Sequence, residues 1–146
     1  MSWNSHWPDC DYGRRTDCPP FQGGVDVALS ELLPLLVAES ERRFDYKFRD
    51  DWCWGFGCRS IADSDTPSFH SYGGGRAVDV NAPANTRGTE GNIPNLMGDL
   101  WEQYGFTWGG RWAYSDPMHF EFRGTRLHAK RMTRRATRRS ARGERL

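Results

Sequence analysis

Apolar residues recur at helical spacing in two stretches of this chain. Val27, Leu29, Leu32, Leu33, Leu36, Val37 and Phe44 fall three and four apart, which predicts an amphipathic helix within residues 25–44. Asp26 is its candidate cap, and Pro34 is placed to bend its middle. Leu96, Met97, Leu100, Trp101 and Tyr104 share one helical face over residues 93–104, and Gly105 follows as a stop. Shorter runs read as strands: 46–54, which alternates loosely, then 77–80, 106–108, 112–114 and 118–122. Gly109-Gly110 is a turn between two of them, and residues 59–75 and 83–92 are polar, glycine-rich loops. The pattern predicts an α+β fold, a small and mostly antiparallel sheet packed with two or three helices.

The two ends break the pattern. Residues 1–24 are rich in Trp, Asp, Cys, Pro and Gly without period and read as an irregular arm. Residues 126–146 are a basic tail with few large apolar side chains, expected to stay unstructured or become helical only conditionally. Between them lies one domain, residues 25–125, as expected for a chain of 146 residues. The net charge of +1 conceals this division. Ten of the 20 Lys and Arg lie beyond Phe122 with a single acid, Glu144, so the tail is strongly cationic and the body acidic. Such a tail suits an anionic polymer, whether wall, lipid or nucleic acid, or is simply solvated. It lacks the aromatic interleaving of a nucleic-acid platform. An aromatic content of 14% excludes a wholly disordered chain. No apolar run is long enough to span a membrane, and no signal peptide is visible.

Cys10, Cys18, Cys53 and Cys58 allow three disulfide pairings, or reduced thiols. Their spacing does not match the close Cys pairs of a structural zinc site. The histidines are more suggestive. His70 lies nine residues before Asp79, and Asp116-Pro117-Met118-His119-Phe120-Glu121 holds a second imidazole among carboxylates. Two imidazoles and a carboxylate can hold zinc and leave its fourth position open to water, as a catalytic site requires. A further carboxylate must take that water's proton. Asp116 is the candidate. Glu121, two residues after His119 and on the same strand face, is the alternative base or a partner that orients the histidine.

Several segments taken together resemble a known family. Ser68-Phe69-His70, followed by Gly75-Arg76-Ala77-Val78-Asp79, resembles the first signature of the zinc D-alanyl-D-alanine carboxypeptidases and L-alanyl-D-glutamate endopeptidases. Asp116 to Glu121 resembles the second. Leu100 to Gly110 looks like that family's helix-to-strand passage, and Trp54 to Arg59 like its strand with an arginine ahead of the first histidine. The resemblance runs in order over about residues 25–125. It implies His70, Asp79 and His119 as zinc ligands and Asp116 as general base and later acid. It implies that Arg59 binds substrate or stabilises the developing oxyanion, and that Ser68 helps place the peptide. One departure stands out: two positions more separate His70 from Asp79 than is usual, and Gly73-Gly74-Gly75 looks like the insertion. Glycine can bulge there without strain.

The expected function is therefore a zinc-dependent peptidase of the peptidoglycan stem peptide, cutting the L-Ala–D-Glu bond. The alternatives are a D-Ala-D-Ala carboxypeptidase and a non-catalytic wall-binding or virion module on the same scaffold. An enzyme of this kind without a signal peptide suggests a phage lysin, made in the host cytoplasm and acting on the wall, or a virion-carried one. No aliphatic seam suggests a dimer, so a monomer is expected, with the basic tail available to an anionic wall polymer.

Overall fold

The computed structural model describes residues 10–61, 64 and 66–146; the first nine residues of the arm lie outside them. Two small antiparallel sheets and three helices make up the α+β fold that the pattern predicts. Strands β1 (Arg15–Cys18) and β2 (Phe21–Asp26) form a hairpin. The second sheet runs β3 (Ala77–Asp79), β5 (His119–Phe122), β4 (Phe106–Trp108), with β5 central. Trp54 joins the two: it bridges to Asp79 on one side and Gln22 on the other. The Trp54 amide donates to the Asp79 carbonyl at 3.0 Å, and the Asp79 amide donates back at 2.8 Å.

Alternation on β3 and β5 separates core from site. Val78 and Phe120 pair across the strands and point into the core. There the Phe120 ring lies 4.6 Å from that of Trp101 and 5.9 Å from that of Trp108. Trp101 is the centre of the core, against Phe48 and Phe106, and its indole N–H is satisfied by the Ser40 hydroxyl at 3.0 Å. Ala77, Asp79, His119 and Glu121 occupy the opposite face.

The helices are α1 (Leu32–Phe44), α2 (Asn95–Gln103) and α3 (Arg126–Ala141). Helix α1 begins later than its apolar spacing predicts. Val25 and Asp26 are still paired with β1, and a 3-10 turn over Val27–Leu29 intervenes. Asp26 is a cap, but of that turn, accepting from the Ala28 amide at 2.9 Å. Pro34 falls in the first turn of α1, where its missing N–H has no helical partner to lose, so it need not bend the middle.

Four further expectations are corrected. Residues 46–54 are not a strand: side chains satisfy the backbone instead of a ladder. The Phe48 amide donates to Glu41 at 3.0 Å, the Arg49 amide to Asn81 at 2.9 Å, and the Asn81 amide group donates to the Lys47 carbonyl at 2.7 Å. Residues 112–114 form no strand either. They belong to a loop closed by the Asp116 amide on the Gly109 carbonyl at 2.9 Å. The arm is not irregular throughout: its residues 15–24 belong to the ordered hairpin, which runs on to Asp26. The tail is helix α3. Thr125 caps it, accepting from the His128 amide at 3.1 Å, and it packs on α1. Its apolar seam is made of small side chains, Ala129 and Ala136, which hydropathy alone underrates. Leu146 is buried beyond it, its amide donating to Glu39 at 2.8 Å and its carbonyl accepting from the Tyr104 hydroxyl at 3.2 Å.

Candidate metal centre

Asp79 and His119 are direct partners in the register of β3 and β5, so backbone pairing alone sets them side by side. His70 comes from a tight turn. The Ser71 amide donates to the Ser68 carbonyl at 2.8 Å, and the Ser68 hydroxyl accepts from the His70 amide at 3.2 Å. Ser68 thus shapes the turn that presents His70, and it also lines the cleft above.

The three side chains are buried and converge. His70 Nε2 lies 3.2 Å from His119 Nδ1 and 3.3 Å from Asp79 Oδ1, and the third side of the triangle, His119 Nδ1 to Asp79 Oδ1, is 3.4 Å. Zinc bonds of roughly 2.0–2.1 Å in a tetrahedron place neighbouring donors about 3.3–3.4 Å apart. The triangle therefore fits one face of a zinc tetrahedron.

Both imidazoles are held in the tautomer a metal needs. His70 Nδ1 donates to the Gly55 carbonyl at 2.8 Å, which turns the Nε2 lone pair inward. His119 Nε2 donates to Glu121 Oε1 at 2.7 Å, which turns Nδ1 inward. Such outer partners orient metal-binding histidines and raise their basicity. Glu121 also accepts from Arg123. One oxygen thereby holds His119 and the other Arg123, which sets Glu121 apart from Asp116. Burial would raise the Glu121 pKa, but hydrogen bonds from His119 and Arg123 outweigh it and hold the carboxyl below its ordinary value.

The same competition governs Asp79 and His119. Burial opposes the charge on Asp79, yet the two histidines hold its pKa far below the usual carboxylate range. Burial would lower His119, but hydrogen bonds to Asp79 and Glu121 win and push it up to about 9. The pocket is built to hold a positive charge, which a metal ion would supply in place of that proton.

Asp116 stands in the turn Asp116-Pro117-Met118-His119, closed by the His119 amide on the Asp116 carbonyl at 3.0 Å. Proline at the second position suits such a turn. One carboxylate oxygen of Asp116 is buried without a hydrogen-bond partner among the described residues. Burial raises its pKa, aided by the charge of Asp79 and opposed by His119 and Arg87. Asp116 lines a cleft of about 270 Å³ with His70, Asp79 and His119. Arg59 reaches the same cleft, half-exposed, with Nη2 3.9 Å from Asp79 Oδ2.

The triple glycine is not a loose loop. The Asp11 backbone amide donates to the Gly73 carbonyl at 2.9 Å, and the Asp26 backbone amide to the Gly75 carbonyl at 2.8 Å. A Cβ on Gly74 would lie 2.5 Å from the Arg14 backbone, and one on Gly73 2.3 Å from the Asp26 carboxylate. Gly73 and Gly75 also hold positive φ, 54° and 109°. The extra residues are thus absorbed as a socket for the N-terminal hairpin, and His70 still meets Asp79. A disulfide between Cys10 and Cys58 ties the same arm to the segment carrying Arg59. Cys18 and Cys53 are free and buried, and burial pushes each thiol up to about 11.

Three contributors escape sequence reasoning. Arg87 and Trp112 line the cleft from loops, and the Trp112 ring lies 5.6 Å from that of His119. Ser71, fully buried, accepts from the Arg59 amide at 2.9 Å and lies 2.7 Å from the Arg59 carbonyl. Only the position of Ser71 next to His70 hinted at a role.

A family model described as D-alanyl-D-alanine carboxypeptidase matches residues 62–122. That span contains His70, Asp79, Asp116, His119 and Glu121 and stops short of Arg59. The match and the His-Asp-His group together support a metallopeptidase of that kind. No curated protein and no solved structure matches the chain.

Proposed function

We propose that this protein is a zinc-dependent peptidase of the peptidoglycan stem peptide that cuts between L-Ala and D-Glu. The observation that carries the reading is the triangle of His70, Asp79 and His119 donor atoms beside the unpartnered carboxylate oxygen of Asp116. Zinc held by those three residues would supply a Lewis acid for the scissile carbonyl and acidify the attacking water.

The chain's own groups do the rest. Asp116, its pKa raised by burial, takes the proton of the attacking water and returns it to the leaving amine. Arg59 and Arg87 bring two guanidinium groups to one small cleft, which suits a substrate carrying carboxylates near the cut bond. D-Glu in the stem peptide has such a carboxylate. Ser68 and Ser71 fix the His70 turn and the Arg59 segment relative to each other. The wall is the site of action, reached as a phage lysin or from a virion.

The description of the matching family favours a second reading, a carboxypeptidase releasing terminal D-alanine. Digestion of purified peptidoglycan by the zinc-loaded protein separates the two by mass spectrometry. New D-Glu amino termini establish the endopeptidase, and free D-alanine establishes the carboxypeptidase. Absence of both products across several wall types would overturn the peptidase reading.

A further inference from the structure

Helix α3 carries Arg126, Lys130, Arg134 and Arg138, four exposed cations spaced four residues apart. They form one ridge, and the helical rise puts a positive charge every 6 Å or so along it. The ridge walls a groove of about 650 Å³ whose other side is Val27, Ala28 and Glu31. Among the described residues, none of these four cations has a carboxylate partner. Of the other arginines of α3, Arg135 lies over the Tyr104 ring, Arg139 donates to the Leu146 carbonyl, and Arg131 is exposed away from the groove. Most of the free cations of α3 thus lie on the groove side. Like charges one turn apart destabilise a helix, so the ridge is costly unless something anionic lies along it.

We propose that this groove binds a base-free phosphodiester polymer, a polyol-phosphate chain laid along α3. Guanidinium forks match phosphate oxygens in pairs, and a row of them matches a chain with one phosphate per repeat. Half-exposed Val27 and Ala28 give the floor an apolar strip for the carbon skeleton between phosphates. Glu31, the single acid of the lining among the described residues, accepts from polyol hydroxyls. A nucleic-acid strand fits less well, because among the described residues no aromatic side chain lines the groove for bases to stack on. The groove and the metal cleft share no lining residue, so binding here is separable from peptidase activity.

The test is titration of the full-length, zinc-loaded protein with soluble poly(glycerol phosphate) between about 50 and 200 mM salt. Four phosphate contacts predict an affinity loss of roughly 50-fold over that range. The triple variant Lys130→Gln/Arg134→Gln/Arg138→Gln should bind more than tenfold more weakly at the lower salt, with a log–log salt slope shallower by about 2. Its melting curve and bound zinc should match the parent. A charge-matched variant elsewhere, Lys47→Gln/Arg49→Gln/Arg145→Gln, should keep the parental slope. Equal weakening in both variants, or none in the first, would overturn the proposal. So would single-stranded DNA of equal phosphate count binding more tightly than the polymer. Binding to anionic vesicles without binding to the soluble polymer would instead make α3 a membrane surface and reject the polymer.

Discussion

His119 touches Asp79 with one ring nitrogen and Glu121 with the other: Nδ1 lies 3.4 Å from Asp79 Oδ1, and Nε2 2.7 Å from Glu121 Oε1. One carboxylate stands with the donors that converge on the centre, and the other holds the ring in place. Asp116, by contrast, keeps a buried oxygen that no described residue claims, and the proposed mechanism assigns it the proton transfer.

Asp116→Asn and Glu121→Gln should therefore fail differently. The first should lower kcat by roughly 10²–10⁴-fold with zinc still bound. The second should weaken zinc by about 10–100-fold and recover much of its activity when the metal is in excess. Zinc titration alongside turnover checks both. The reverse pattern would exchange the two roles.

The metal-free protein should lose stability as alkali is added. The His119 pKa is pushed up to about 9 in the fold, against 6.5 ordinarily. The proton bound in the fold contributes stability fully below about pH 6.5 and loses that contribution as pH rises through 9. Zinc bound at His119 would replace the proton, so Tm of the zinc-loaded protein should be much flatter over that interval. Calorimetry of chelated and loaded samples from pH 6 upward measures the difference.

Gly74→Ala should loosen the hairpin's socket. Its Cβ meets backbone at 2.5 Å, which cannot move aside as a side-chain tip would. A destabilisation of about 1–3 kcal/mol is expected, with faster amide exchange at Asp11 and Asp26, which donate to this loop. Urea unfolding and hydrogen exchange check it.

The cysteines should divide into two chemical classes. Cys18 and Cys53, buried with thiols pushed up to about 11, should stay unreactive toward a thiol reagent until the protein unfolds. Unfolding without reductant should then expose two thiols. Replacing Cys10 and Cys58 with serine removes a link across 48 residues and should cost up to about 4 kcal/mol. Thiol counting and the melting temperature of the serine variant test the two statements.

Much of this protein is determined locally. The period of two along β3 and β5 puts Asp79, His119 and Glu121 on one face and Val78 and Phe120 on the other, and that period is printed in the residue order. The turn from Asp116 to His119 is likewise local, closed by one backbone hydrogen bond around a proline. The tertiary structure decided what depends on distant chain meeting. The Gly55 carbonyl fixes the His70 tautomer across 15 residues. The arm turns the triple glycine into a socket, and Cys10 chooses Cys58 among three partners. Helix α3 forms a groove only because it packs on α1 and beside the Val27–Leu29 turn. Periodicity and turn chemistry are properties of neighbours in sequence. A carbonyl's partner, or the space a missing Cβ leaves, is a property of neighbours in space.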